Sequence, residues 1–503
     1  MDIEEFRKQG YAVVDRICDY FRGLEELPVV SSQKPGDILR ALPDTVPEQP
    51  QRLDPVREFN DLVLPGITHW QHPSFFAYFP CNTTFECILA DMLAAAVSNP
   101  GFNFTCSPIC TELEIKMCDW LAQAFGLSPA FMSTGPSGKG GGVILNSASE
   151  TALTAAIAAR DRALSFMPSS TDEEKAKSRS RLIMYTSDQA HSSGMKAGKL
   201  LGVDVRLLET RRVDLFAVTG QTLRRALEED VASGKAPFFL MATVGTTSSG
   251  AIDMIDEITD VAADYPIMFV HVDAAWAGPA LSVTELRDEL QLSAINAPAK
   301  GKDGRGQVDS LCINMHKWGL TTFDCSLFVV KDSTPLITAM EVTPQYLKTL
   351  QMGQGAIHDY RNWQISLGRR FRSLKVYFVL KSYGVSGLRK HIKSGIALAT
   401  RFSDLVARDS SYEFITPRRL SLVVFRWTPE VANRDERVLD RLNRELWARL
   451  ESRKDIMLTQ TVIGGVFCIR FAVGAPSTRA EHVDKAWVVI KECASSIPVL
   501  CES

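Results

Sequence analysis

The chain has 503 residues, 45% hydrophobic and 23% charged, enough length and apolar content for two or three domains with a sizeable core. A formal net charge of -3 and the lack of any long Lys/Arg block provide no basic field for a polyanion, so no nucleic-acid partner is expected. No run approaches about 18 consecutive apolar residues, and the opening "MDIEEFRKQG" is acidic where a secretory leader is basic and then apolar; the expectation is a cytoplasmic protein with no membrane partner.

The first segment places Ile3, Phe6, Val13, Val14, Ile17, Phe21 and Leu24 at helical spacing. That amphipathic helix has no evident local partner and is expected to pack on another subunit. Pro35, Pro43, Pro47 and Pro50 then predict an extended connector over 28–52. From about 140 to 330, short apolar runs ("GVILN", "RLIMYT", "VRLLE", "FFLMATV", "IMFVHVD", "DSLCIN", "SLFVV") alternate with helical stretches. This pattern predicts an α/β fold with a mostly parallel sheet covered by helices. The charged stretch "SSTDEEKAKSRSR" at 169–181 reads as a solvated surface loop. Beyond about 385, "SLVVFRW", "VFCIRFAV" and a helix carrying Val438, Leu439, Leu442, Leu446 and Leu450 predict a small α+β unit. The expected division is an N-terminal helical dimerisation segment (1–85), a large α/β domain (86–384) and a small C-terminal domain (385–503).

Several predicted strands end in small or polar residues: Asn146 to Ser149, Ser187-Asp188, Gly245 to Thr247, and Asp273. Ligands of open α/β sheets lie beyond the carboxyl ends of strands, so the chemistry is expected there. In "STGPSGKGGGVILNSASE" a phosphate-loop reading fails, because Gly140 follows Lys139 where Ser or Thr is required. Ser147, Ala148 and Ser149 open the helix "ETALTAAIAAR", and the spacing leaves open a plain N-cap or a docked phosphate. Asp273 in "HVDAAWAG" is likewise a cap, a turn former or a functional carboxylate. Eleven cysteines form no CxxC pair and no zinc-type spacing, so free buried thiols are expected and no metal is implied.

Lys317 lies in "INMHKWGLTTFDCS", a stretch that otherwise reads as buried strand. A buried unpaired ammonium is costly unless its pKa falls or chemistry consumes the charge. An enzyme using pyridoxal 5'-phosphate needs both a lysine to hold it covalently and a carboxylate against its ring nitrogen. Lys317 and Asp273 supply that pair.

The segments "HPSFFAYFP" (72–80), "SPICTELE" (107–114), "SDQAHSS" (187–193), "TVGTTSSGAID" (243–253), "HVDAAWAG" (271–278), "NMHKWGLTTFDCS" (314–326), "YLK" (346–348) and "DYRNWQISLGRRFRSLK" (359–375) resemble the aromatic L-amino acid decarboxylases, within the group II pyridoxal-phosphate decarboxylases. The likeness runs nearly end to end. It implies a fold-type I homodimer with active sites at the subunit interface, and decarboxylation of an aromatic L-amino acid to its amine. It also implies roles: Lys317 bonded to the cofactor, Asp273 on the ring nitrogen, and Ala275 and His191 on the two ring faces. Ser147, Ala148, Ser149, Asn314 and His316 would form the phosphate and anchoring set, with Thr246 near cofactor and substrate carboxylate.

By the same resemblance, Tyr346 is the proton donor to Cα, carried by a mobile lid over about 327–358. Relatives that make aldehydes typically bear phenylalanine there, so tyrosine points to simple decarboxylation rather than aldehyde synthesis. Trp70, Tyr78, Phe79, Pro80, Phe102 and Phe104 are implied as the aromatic substrate wall, partly across the dimer interface. Phe104 and Cys81 depart from the tryptophan and threonine found in relatives. Gly368, where serine accompanies histidine or tyrosine-like substrates, leaves room for a larger ring and tilts the expectation to tryptophan, with 5-hydroxytryptophan, phenylalanine, tyrosine or DOPA also possible. A non-catalytic relative would have no need of Lys317, Asp273, His191, Thr246 and Tyr346 together.

Overall fold

Seven apolar runs become the strands of one sheet in the computed structural model, which describes residues 1–301, 304–342, 359–432 and 434–498. They are β1 (Gly141–Leu145), β2 (Leu182–Ser187), β3 (Asp204–Leu208), β4 (Ala236–Thr243), β5 (Phe269–Asp273), β6 (Ser310–Asn314) and β7 (Ser326–Val330). The order is β1-β7-β6-β5-β4-β2-β3. Neighbours from β6 through β3 run parallel, while β7 is antiparallel to both β6 and β1. All strands except the edge strand β3 are buried along their whole length.

Continuous burial follows from the pleat. Alternate residues point to opposite faces, and here each face has its own core. Ile144, Leu240, Val272 and Ile313 pack with the helices Pro108–Phe125 and Ile255–Ala262. Val143, Met184, Met241 and Phe328 pack on the other side against the helix Ala148–Ser165. That helix presents Ala152, Ala155, Ala156 and Ala159 to the sheet, small side chains that let it lie close. Its first turn is thereby brought to the sheet's carboxyl edge.

The pairing sets which residues meet at that edge. Because β1 is antiparallel to β7 and β7 to β6, β1 points the same way as β2, β4, β5 and β6. Ser187, Thr243, Asp273, Asn314 and the turn after Leu145 therefore end side by side, with Thr243 opposite Asp273 and Asp273 opposite Cys312.

A second sheet, β10-β11-β9-β8, is antiparallel and comprises β8 (Tyr412–Phe414), β9 (Leu422–Trp427), β10 (Thr459–Ile463) and β11 (Val466–Ala472). Its core includes Leu439, Leu442, Leu446 and Leu450 from the helix Glu436–Ser452, and also Phe76, which stacks on Phe471 at 4.1 Å. The backbone of Phe76 bonds to Met457 and Ala472, so the 72–82 segment hangs on this small unit. The helix Ser373–Ala407 joins the two units and is interrupted at Gly384, whose φ of 60° and ψ of 178° are non-helical.

Three expectations are corrected. Residues Asp172–Arg181 form a helix, not a loop, because Thr171 and Glu174 make a capping box that satisfies its first amides. Lys317 is not in a strand: β6 ends at Asn314 and Lys317 sits in the single turn Met315–Trp318. The segment assigned to the lid opens with buried β7 and the helix Thr334–Met340, whose Leu336 is in the core, so its described start is part of the scaffold. Tyr346 lies outside the described residues.

Candidate active site

A cavity of about 300 Å³ opens at the carboxyl edge of the large sheet. Lys317, Asp273, Ala275, His191, Ser147, Ala148, Ser149, Asn314 and His316 all line it, gathered from strand ends and helix starts far apart in sequence.

Asp273 ends β5, with Oδ1 fixed by the Ala275 N–H at 2.9 Å and the Cys312 thiol at 3.5 Å. Among the described residues no hydrogen bond reaches Oδ2, which is left for a ligand. The Asn314 amide donates to the Ala275 carbonyl at 3.0 Å, which locks the ends of β5 and β6 together. Asn314 Oδ1 and Thr243 Oγ1 are buried with no hydrogen-bond partner among the described residues. Buried orphan acceptors lining a cavity call for a polar occupant.

Ser147 caps the helix Ala148–Ser165 by accepting from the Glu150 N–H, while Glu150 accepts from the Asn146 N–H at 2.9 Å. The first-turn amides have no intrahelical acceptor, and the positive end of the helix dipole faces the cavity. The plain cap is present, and the helix start it caps lines the cavity. Asn146 is further held by Arg372, which donates to it and pairs through Nη2 with Asp324 at 2.8 Å.

Electrostatics favours neutral forms. Burial lowers the pKa of Lys317, against an opposing pull from Asp273. Burial lowers that of His191 too, with Asp273 opposing and Lys317 reinforcing, and takes His316 down to about 3. His316 Nδ1 accepts from the Cys325 N–H at 3.0 Å, and His191 Nδ1 from the Ser193 N–H at 3.2 Å, so each ring has a fixed orientation. Asp253 accepts from the amides of Thr243 and Val218 at 2.7 and 2.8 Å, and burial pushes its carboxyl up to about 7. It anchors the turn after β4, where only glycine fits at Gly245. There φ is 86°, and a Cβ would lie 2.7 Å from that of Ala277.

The other wall is aromatic. Trp70 and Tyr78 stack at 5.5 Å and 13°, and Phe79 lies on Trp276 at 4.2 Å and 14°. Trp276 in turn stacks on Trp318 at 6.0 Å. Asn82 ties this segment to the lysine turn, its N–H donating to the His316 carbonyl at 3.0 Å.

Five expected residues are not at the cavity. Thr246 is fully buried, its hydroxyl bonded to Ser249 Oγ at 2.7 Å and to the Ala251 N–H at 2.9 Å, so Gly245 and Thr247 face the cavity instead. Pro80, Phe102, Phe104 and Gly368 do not line it within one chain. Sequence reasoning overlooked Thr243, Trp276 and Phe323 as lining residues. Trp276 directly follows Ala275 and Phe323 lies six positions after Lys317, so proximity in the two motifs was the available signal.

A lysine of lowered pKa, a carboxylate with one oxygen uncommitted, and a helix N-terminus for an anion converge on one cavity. They fit pyridoxal 5'-phosphate, whose aldehyde, ring nitrogen and phosphate need those three partners, and define a pyridoxal-phosphate enzyme of fold type I. The sequence model of the pyridoxal-dependent decarboxylase conserved domain matches residues 35–428. Tryptophan decarboxylase 2 of Oryza sativa subsp. japonica is 40% identical over 503 residues, covering 99% of this chain and 96% of its own length. Phenylacetaldehyde synthase of Arabidopsis thaliana is also 40% identical, over 499 residues, covering 98% and 97%. The crystal structure of Oryza sativa TDC with PLP and tryptamine superposes with a TM-score of 0.91 at 37% identity, covering 98% of both chains. The chain belongs to the pyridoxal-dependent decarboxylase family, and is a carboxy-lyase dependent on pyridoxal 5'-phosphate.

Proposed function

We propose that the protein decarboxylates an aromatic L-amino acid, tryptophan foremost, to the arylalkylamine and CO2, as a cytoplasmic homodimer. One observation carries the reading: Lys317 and Asp273 share a single cavity with Trp70, Tyr78 and Phe79. Stacked aromatic walls select a flat apolar side chain, with polar recognition confined to the opposite edge.

When bound, pyridoxal phosphate supplies the sink for the electron pair left at Cα as the carboxylate departs. Asp273 would keep a proton on the cofactor's ring nitrogen and so deepen that sink. Lys317, whose pKa burial lowers, would hold the cofactor through its amine. The first-turn amides at Ser147 to Ser149 would hold the phosphate, with Asn314 and His316 beside them on the cavity lining. His191 and Ala275 would hold the cofactor ring between them, and Trp70, Tyr78 and Phe79 would clasp the substrate ring. Tyr346 delivers the proton to Cα.

Exposed apolar surface supports the dimer. The helix Ile3–Arg22 buries no residue and exposes Ile3, Phe6 and Tyr11, and the helix Phe85–Val97 exposes Phe85, Leu89 and Leu93. A partner seated there is also the expected source of the substrate-wall residues that one chain leaves off its cavity.

A second reading is favoured by the phenylacetaldehyde synthase relative. In that chemistry amino acid, O2 and water give aldehyde, CO2, ammonia and hydrogen peroxide. The test is a product assay across tryptophan, 5-hydroxytryptophan, phenylalanine, tyrosine, DOPA and histidine, with amine, ammonia and peroxide measured together. Amine equal to CO2 without peroxide is expected, with Tyr346→Phe cutting amine and raising aldehyde. Stoichiometric peroxide from the wild type overturns simple decarboxylation.

A further inference from the structure

Tyr78 stands out in the substrate wall because its φ of 49° is left-handed, a conformation that is costly for a residue with a Cβ and persists only where its surroundings impose it. Two residues of the small unit impose it. The Tyr78 N–H donates to Thr459 Oγ1 at 3.3 Å, and the Tyr78 carbonyl accepts from Arg470 Nη2 at 3.2 Å. Arg470 Nη1 also donates to Thr459 Oγ1 at 2.8 Å, closing a three-membered network. Thr459 and Arg470 are direct register partners across β10 and β11, so the sheet itself sets the spacing of the clamp.

Arg470 is an unusual residue to spend on a strand pair. It is 3% exposed, no carboxylate pairs with it among the described residues, and its Nε has no partner. Burying an uncompensated guanidinium is costly, and an uncharged pair would join two strands more cheaply. Its placement is explained by what it reaches: the backbone of Tyr78 and the ring of Phe79, whose centroid is 5.0 Å from the guanidinium carbon. Neither Thr459 nor Arg470 lines the cavity.

We infer that Thr459 and Arg470 are positioning residues that hold Tyr78 in its left-handed conformation against Trp70, and so set how tightly the cavity grips an aromatic side chain. The inference rests on reading Trp70, Tyr78 and Phe79 as the substrate wall. The small unit thereby acts on specificity from behind the wall, through one backbone.

Thr459→Val in the full-length holoenzyme is the test, because position 459 is partly exposed and the change keeps the strand's shape; Arg470→Lys, which keeps the charge but not the fork, accompanies it. Three readouts are taken: KM and kcat for tryptophan and phenylalanine, cofactor absorbance, and amide hydrogen exchange over 76–82. Thr459→Val should raise KM about fivefold to tenfold with kcat within about twofold, unchanged cofactor content and exchange about tenfold faster. In a Tyr78→Gly background, where the ring is gone and φ is unstrained, the same change should alter KM by less than about twofold. Unchanged KM, or an equal effect in that background, overturns the inference. An active wild type whose exchange is unaltered in both variants defeats the clamp alone. A wild type that turns over no aromatic amino acid defeats the substrate reading and, with it, the clamp's role in gripping the ring.

Discussion

The two sides of the cavity are built differently. On the cofactor side, Asp273, Asn314 and Ser147 sit at strand ends or at the cap of a helix packed on the sheet, and each is pinned by backbone hydrogen bonds. On the proposed substrate side, Trp70, Tyr78 and Phe79 belong to loops, and Tyr78 is 49% exposed. The difference follows from what each side must do: reaction geometry has to be held to a fraction of an ångström, while an aromatic ring needs only a flat apolar contact. A regular sheet edge provides the first, and the second is assembled from loops, with Tyr78 tied by the side chains of Thr459 and Arg470 rather than by the large sheet.

If the cofactor side carries the chemistry, its removal should cost most. Lys317→Ala is expected to lower kcat by about a thousandfold or more, since the proposed covalent hold on the cofactor rests on that one amine. Borohydride trapping followed by peptide mapping should label position 317 in the wild type and nothing in the variant. Asp273→Asn keeps the shape and can keep the bond to Ala275 while removing the charge. A fall in kcat of about a hundredfold, with KM changed far less, is expected from steady-state kinetics. An Asp273→Asn enzyme with wild-type kcat would break the comparison, because the pinned carboxylate would then be architecture only.

The same contrast explains what could be read from the sequence. Strands buried on both faces are continuous apolar runs, and β1, β2 and β4 to β7 were legible as such; the small and polar residues at or just beyond the ends of β1, β2, β4 and β5 then marked the site. Strand β10 was not legible, because "TQTVI" alternates burial at an edge and carries no apolar run. The orientation of Thr246 was also hidden, since it depends on a turn closed by Ser249 and Ala251. Pro80, Phe102, Phe104 and Gly368 were placed by resemblance alone, and no periodicity fixes where a loop residue turns. The helix Asp172–Arg181 was missed because its charge masked a Thr-x-x-Glu cap that was present in the sequence.

The rigid side has a cost that a titration can expose. His271 lies two residues before Asp273, inside the sheet, with Nδ1 bonded to Ser310 Oγ at 2.8 Å and its ring between Phe239 and Phe328. Burial takes its pKa down to about 4, and does the same for His72. The unfolded chain protonates these rings near pH 6.5 and the folded chain only near 4, so between those values the unfolded state holds more protons. Stability therefore falls as pH falls through that window. His271→Phe removes one such group from an apolar setting at the expense of the Ser310 bond, so the variant should be the less stable at pH 7. The gap should close by about 2 kcal/mol by pH 5, read from denaturant unfolding at both pH values. Cofactor absorbance should vanish together with the global transition, because two of the residues proposed to hold the cofactor, Asp273 and Asn314, are themselves ends of core strands. Loss of the cofactor well before unfolding would show that this side of the cavity yields independently of the sheet, and would remove the contrast between the two walls.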